Sequence, residues 1–92
     1  MGSSKEDSVK RARHDLARRL GVSESDIKEE TIERADFPDT ALGASLKDEM
    51  SGQMMTSGWR IRLSAEGRGK FEYRAGDDEL RLYNYKGSNY RI

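Results

Sequence analysis

The segment Gly58-Trp59-Arg60-Ile61-Arg62-Leu63-Ser64-Ala65 constrains the fold more than any other part of the chain. Trp59, Ile61, Leu63 and Ala65 alternate strictly with Arg60, Arg62 and Ser64, the period of a strand with one dry and one wet face. A dry strand face needs a second layer to cover it, and an isolated strand needs hydrogen-bonded neighbours. The rest of the chain can therefore be read by asking which segments supply each.

The cover comes from the N-terminal side. From about Ser4 to Leu20, Val9, Ala12, Leu16, Ala17 and Leu20 recur at spacings of three and four, while Lys10, Arg11, Arg13, Arg18 and Arg19 point elsewhere. Glu6 and Asp7 open this helix and Arg18 and Arg19 close it, matching the helix dipole at both ends. Gly21 supplies a left-handed C-cap, with Val22 folding back as its apolar contact.

The neighbours follow the central strand. Glu66-Gly67-Arg68-Gly69 reads as a hairpin turn. Lys70 to Ala75 then alternates, with Phe71, Tyr73 and Ala75 inward and Glu72 and Arg74 outward. After a turn at Gly76-Asp77-Asp78, Glu79 to Tyr85 forms a further strand with Leu80 and Leu82 inward and Arg81, Tyr83 and Tyr85 outward. Gly87-Ser88-Asn89 breaks the pattern, leaving Tyr90-Arg91-Ile92 as a frayed tail or a short added edge.

Two segments are less determined. Ser23 to Phe37 fits a helix begun by Ser23 and Asp26 as a capping box, and equally a bulged strand through Ile27, Glu29, Thr31 and Ile32; Pro38 ends either. Residues 38–57 form a long loop for so small a domain. Leu42-Gly43 is expected to plug it to the core, and Met50, Met54 and Met55 either pack in part beneath it or form an adaptable lip for a partner.

The resulting fold class is α+β, one amphipathic helix on one face of a mainly antiparallel sheet of about four strands. The expected organisation is a ragged or appended end at 1–4, a single domain at 5–86 and a tail or edge strand at 87–92. A chain of 92 residues buries only about 60–65% of its unfolded surface. With 34% hydrophobic residues it can still build one two-layer core.

Composition excludes several functions. Lys plus Arg equals Asp plus Glu at 17 each, so no overall field attracts nucleic acid or anionic membranes. The absence of cysteine and the single histidine remove disulfides, thiolate sites and histidine-based metal sites. No apolar run reaches the ~20 residues of a membrane span. Compartment stays open between cytoplasm and export, since the ragged end Met1-Gly2-Ser3-Ser4 is compatible with a removed leader.

The order of features resembles a group of small uncharacterised bacterial domains. The residues that carry the likeness are Asp15-Leu16-Ala17-Arg18-Arg19-Leu20-Gly21-Val22, Asp36-Phe37-Pro38-Asp39-Thr40-Ala41-Leu42-Gly43-Ala44, Gly58-Trp59-Arg60-Ile61-Arg62-Leu63 and Phe71-Glu72-Tyr73-Arg74. That group carries an "LA..LGV" helix end, a "W-P-D-x-x-L-G-C" loop, a "PGYRI.L" strand and a "YEYH" strand, often behind an export or lipoprotein signal. The likeness, from about Val9 to Tyr85, implies that Ile27 to Phe37 is a strand, and it implies no activity. The chain departs from the pattern at Phe37, Ala44, Ser57 and Arg74, where the group has Trp, Cys, Pro and His. Without the cysteine, any disulfide of exported relatives is lost.

No residues are spaced as a catalytic set. His14 reads as a solvated histidine beside Asp15, and Arg11, Arg18 and Arg19 as a solvated helix face. Asp36 and Asp39 read as turn formers, Asp77, Asp78 and Glu79 lack the ligand alternation of a calcium loop, and Gly67-Arg68-Gly69 has no helix behind it to cradle phosphate. The expectation is a non-enzyme without cofactor or metal. Its candidate partner-binding residues are Met50, Met54 and Met55 of the loop and Arg60, Arg62, Arg74, Arg81, Tyr83 and Tyr85 of the wet sheet face. A protein partner engaged by the 38–57 loop is the leading expectation. The alternatives are nucleic acid on the basic and aromatic sheet face, with paired and solvated side chains the simpler account of it, and an inhibitor-like domain by analogy of fold.

Overall fold

A computed structural model of the protein describes residues 4–92. Met1-Gly2-Ser3, read above as part of a ragged end, lie outside the described residues. Helix α1 spans Lys5–Leu20, a single 3₁₀ turn spans Glu24–Asp26, and five strands follow: β1 Ile27–Phe37, β2 Thr56–Ala65, β3 Gly69–Ala75, β4 Leu80–Tyr85 and β5 Ser88–Arg91. The strands form one antiparallel sheet in the order β1-β2-β3-β4-β5, so each pairs with its neighbour in sequence.

Local chemistry explains the ends of α1. The Ser4 hydroxyl accepts from the Asp7 amide at 3.0 Å, which caps the first turn. At the other end Gly21 adopts φ 70°, and the amides of Gly21 and Val22 donate to the carbonyls of Arg18 and Ala17. This is the paired C-terminal closure that a glycine permits.

Both readings of Ser23–Phe37 contain part of the answer. Ser23 does cap a turn, but that turn is one 3₁₀ unit and the chain extends from Ile27 onward. A bulge between Glu29 and Thr31 makes two residues of β1 oppose Arg62. The bulge places Ile27 and Ile32 on the same face as Ala65 and Ile61 of β2, which plain alternation over an odd spacing would forbid.

The core lies between α1 and this face. Val9, Ala12, Leu16 and Ala17 of the helix pack with Ile27, Ile61, Leu63, Ala65, Tyr73, Ala75, Leu80 and Leu82 of the sheet. Tyr73 is fully buried, and its hydroxyl donates to the Asp15 carboxylate at 2.7 Å, so the one polar atom at the centre is satisfied. Burial and the neighbouring carboxylate push the Tyr73 phenol well above its ordinary pKa. Trp59 sits at the rim of this layer, half-buried, with Lys5 and Arg34 against its ring.

A second buried group exists on the other side of the sheet. Phe37, Ala41, Leu42 and Ala44 are each 1% exposed or less, yet they stand apart from the helix-side cluster. The expectation that Leu42 would plug the loop to the core is therefore corrected: Leu42 packs over Gly76 on the outer face. The sheet is covered on both sides, by α1 and by the first half of the 38–55 connection.

Candidate interaction surface

The outer face is built around a row of arginines. Arg60, Arg74, Arg81 and Arg91 stand directly opposite one another on β2, β3, β4 and β5, with Glu33 completing the row on β1. Like charges opposite one another on adjacent strands repel. The row is stable only because acceptors are brought to it. Glu33 and Glu72 lie 3.6 and 3.3 Å from Arg60, and Glu72 also takes a 2.8 Å bond from Arg74. Arg62, on the same face, lies 3.4 Å from Glu72.

The loop supplies what the strands lack. Arg74 donates to the carbonyls of Leu42 and Gly43 at 3.1 Å each, and its guanidinium stacks 3.7 Å from the Tyr83 ring. Arg81, 1% exposed, donates to the Ala44 carbonyl and grips Glu49 with both of its terminal nitrogens, at 2.5 and 2.7 Å. Glu79 holds Arg81 from the other side. The guanidinium and the Leu46 amide keep the Glu49 carboxyl far below its ordinary pKa, at about 2. The same bonds raise the pKa of Arg81 against the effect of its burial.

Backbone geometry prepares residues 38–49 for this role. The Asp39 carboxylate accepts from the amides of Ala41 and Gly43, at 2.9 and 3.0 Å, folding the chain tightly after Pro38. Leu42 and Gly43 both take positive φ, 59° and 66°, which turns successive carbonyls toward Arg74. At Gly43 an added Cβ would come within 2.8 Å of the Arg74 guanidinium. Asn89 of β5 secures the next carbonyl, Ser45, at 2.8 Å.

Residues 50–55 behave differently. The amide of Gly52 donates to the Thr40 hydroxyl and the Thr40 amide to the Gly52 carbonyl, which ties the segment back to its base. On either side of Gly52, Met50 is 97% exposed and Met54 and Met55 are each 70% exposed. They are the exposed large hydrophobic residues of the described chain. The expectation that some would pack beneath the loop is corrected, because Phe37, Ala41, Leu42 and Ala44 already fill that space.

The residues singled out in the sequence thus fall into three settings. Met50, Met54 and Met55 project from the loop tip. Arg60, Arg62, Arg74, Arg81 and Tyr83 share the outer face; of these Arg62 is the most open, and Arg81 is sealed under the loop. Tyr85 belongs to the other face. Asn84 adopts a left-handed φ of 52° and the β4–β5 register shifts between Leu82 and Tyr85, which swings Tyr85 toward the helix, against Phe71, Tyr90 and Arg19. Its outward placement by alternation is corrected accordingly.

Other groups considered from sequence have structural partners. His14 lies 2.9 Å from Glu24, and Arg19 bonds Asp15 at 2.7 Å while covering Tyr90. Asp36 accepts from the Ser57 hydroxyl across β1 and β2 instead of shaping a turn. Among the described residues no three His, Asp or Glu side chains converge on a point where a metal ion could sit, and no helix is long and apolar enough to cross a membrane. Glu49 is the residue that sequence reasoning missed. Its signal was an imbalance: the outer strand positions carry more arginine than the strands can neutralise, so an acid had to arrive from elsewhere.

No curated protein and no solved structure matches the chain. Residues 9–83, from the middle of the first half of α1 to the end of the Arg74–Tyr83 stack, match a family described as a domain of unknown function. The match takes in the helix, the arginine-clamped loop and the first four strands, and on that extent the chain belongs to the DUF8738 family.

Proposed function

We propose that the protein is a non-catalytic interaction module that recognises another protein through Met50, Met54 and Met55. The observation that carries this reading is their exposure, from 70% to 97%, on a tip whose base is held by Glu49, Thr40 and Gly52. Methionine side chains are apolar, unbranched and polarisable, so they adapt to a partner's surface, and a fixed base lowers the ordering cost of binding. Arg60 and Arg62 lie on the adjoining face and provide a polar surround. The outer-face acids Glu33, Glu49, Glu72 and Glu79 are each engaged by arginine and Glu30 by the Ser64 hydroxyl, which favours a binding role over a catalytic one.

A nucleic-acid role for the outer face is less well supported. Arg74 and Arg81 already spend their donors on loop carbonyls and carboxylates, and the Tyr83 ring is covered by Arg74. An inhibitor-like use of the tip remains a special case of the same module, resting on analogy of fold. The motifs quoted above point to bacteria as the setting of such a module.

The test compares Met50→Ser/Met54→Ser/Met55→Ser with the corresponding triple leucine variant in proximity crosslinking from the native cell. Partners captured by the wild type should be lost with serine and retained with leucine, at equal melting temperature. An identical set of crosslinked proteins with all three forms overturns the reading.

A further inference from the structure

Strand β1 is an edge of the sheet, and at eleven residues it is the longest strand. Edge strands of this length usually carry side chains that block a second chain, commonly charges and bulges. Here the charges other than the exposed Lys28 are engaged within the same copy. Glu29 bonds Arg13 of α1, Glu30 takes the Ser64 hydroxyl, Glu33 faces Arg60 and Arg62, Arg34 lies over Trp59, and Asp36 holds Ser57. All of these partners lie on β2 or α1, which leaves Lys28 as the β1 charge without a partner among the described residues.

We propose that two copies of the chain pair edge to edge through β1, antiparallel about a two-fold axis at Ile32. Ile32 is only partly buried although it lies on the core face, and pairing at this position sets it against Ile32 of the second copy. One step outward on the wet face, Glu33 meets Thr31. The bulge at Glu30 then brings Arg34 opposite Glu29, and both lie on the helix side, since they pair with Trp59 and Leu63 of β2. The two-fold repeats this Arg34–Glu29 contact, so each copy supplies both signs.

Register and charge agree in this arrangement. A one-residue slip would place core-face side chains against the wet face, whereas a two-fold centred on a β1 residue keeps the faces matched; Ile32 is the centre that also joins two apolar side chains and sets Arg34 against Glu29. Balanced net charge removes any general repulsion between copies. A groove between α1 and β1 runs beside the same edge, where Val9 and Ile32 give the second copy a small apolar floor inside a rim of charged side chains that includes Lys5, Glu6 and Lys10. The result is a continuous ten-stranded sheet with a helix from each copy on the same side. This proposal is independent of the methionine tip.

Sedimentation of the wild type from micromolar to millimolar concentration, with Glu29→Arg and Arg34→Glu, tests it. The wild type should associate to dimers. Each single reversal should raise the dimer dissociation constant at least about tenfold, as like charges then face each other twice. A mixture of the two reversed chains should restore association, because both contacts become oppositely charged. Since Glu29 also holds Arg13, hydrogen exchange of the wild type provides a second readout: β1 amides should become more protected as protein concentration rises. A wild type that stays monomeric throughout, or that shows no concentration-dependent protection of β1, overturns the proposal.

Discussion

The guanidinium of Arg81 and the carboxylate of Glu49, thirty-two residues apart, form a two-pronged ion pair that fastens the loop across the sheet. Arg81 is 1% exposed, so the pair is what allows a charge to remain beneath the loop. Breaking a buried pair from one side leaves the remaining charge uncompensated. Arg81→Met should cost about 3 kcal/mol in urea unfolding, with the loss falling on both the loop and β4.

The depressed pKa of Glu49, about 2, sets the sign of a pH effect. An unfolded glutamate protonates near its ordinary value, so the folded state gains full benefit from the pair above that value and loses it as pH falls through the folded pKa. Stability should therefore drop between about pH 4.5 and pH 2. In Glu49→Gln the slope over this window should be visibly smaller, measured by chemical denaturation at several pH values.

At the centre of the helix-side core, Tyr73→Phe removes the hydroxyl that donates to Asp15. Asp15 keeps Arg19, so it is not stranded. The expected loss is about 1.5–3 kcal/mol, the range for a hydrogen bond to a charged group, with the melting transition remaining cooperative.

Gly58→Ala tests a contact of a different kind. A Cβ at this position would lie 1.9 Å from the Ala75 carbonyl oxygen, and backbone on β3 cannot move aside without breaking the β2–β3 ladder. Destabilisation at or above about 3 kcal/mol is expected, and a variant as stable as the wild type would show that the two strands are farther apart than described.

The methionine tip should be the opposite case. With Met50, Met54 and Met55 outside both cores, the triple serine variant should unfold within about 0.5 kcal/mol of the wild type. Oxidation of the three thioethers by peroxide should likewise leave the melting temperature in place.

The helix, β2, β3 and most of β4 were legible because each has one dry and one wet face, and a single period describes it. The ends of α1 were legible for another reason, since Ser4, Gly21 and Val22 act through local backbone bonds. Tyr85 was misplaced because one left-handed residue, Asn84, changes the parity of everything after it. The tail reading at 87–92 left β5 open, and its pairing with β4 through Arg91 and Tyr90 depends on that same irregularity. Trp59 was read on the dry face and lies there, but at its rim, because alternation says nothing about depth. The candidate face was legible in its arginines and illegible in its cover. Whether Arg74 and Arg81 meet solvent is decided by carbonyls of Leu42, Gly43 and Ala44, and backbone acceptors leave no trace in side-chain patterns.

The neighbour-to-neighbour strand order also has a kinetic meaning. From β2 to β5 every pairing is closed by a short turn, whereas β1 reaches β2 only across residues 38–55. Short closures are entropically favoured early in folding. The β2–β5 meander should therefore assemble in the transition state, and the loop with its Glu49–Arg81 pair should dock after it. In that sequence Glu49→Gln would speed unfolding while leaving the refolding rate nearly unchanged, making the loop a brake on opening and not a guide to assembly.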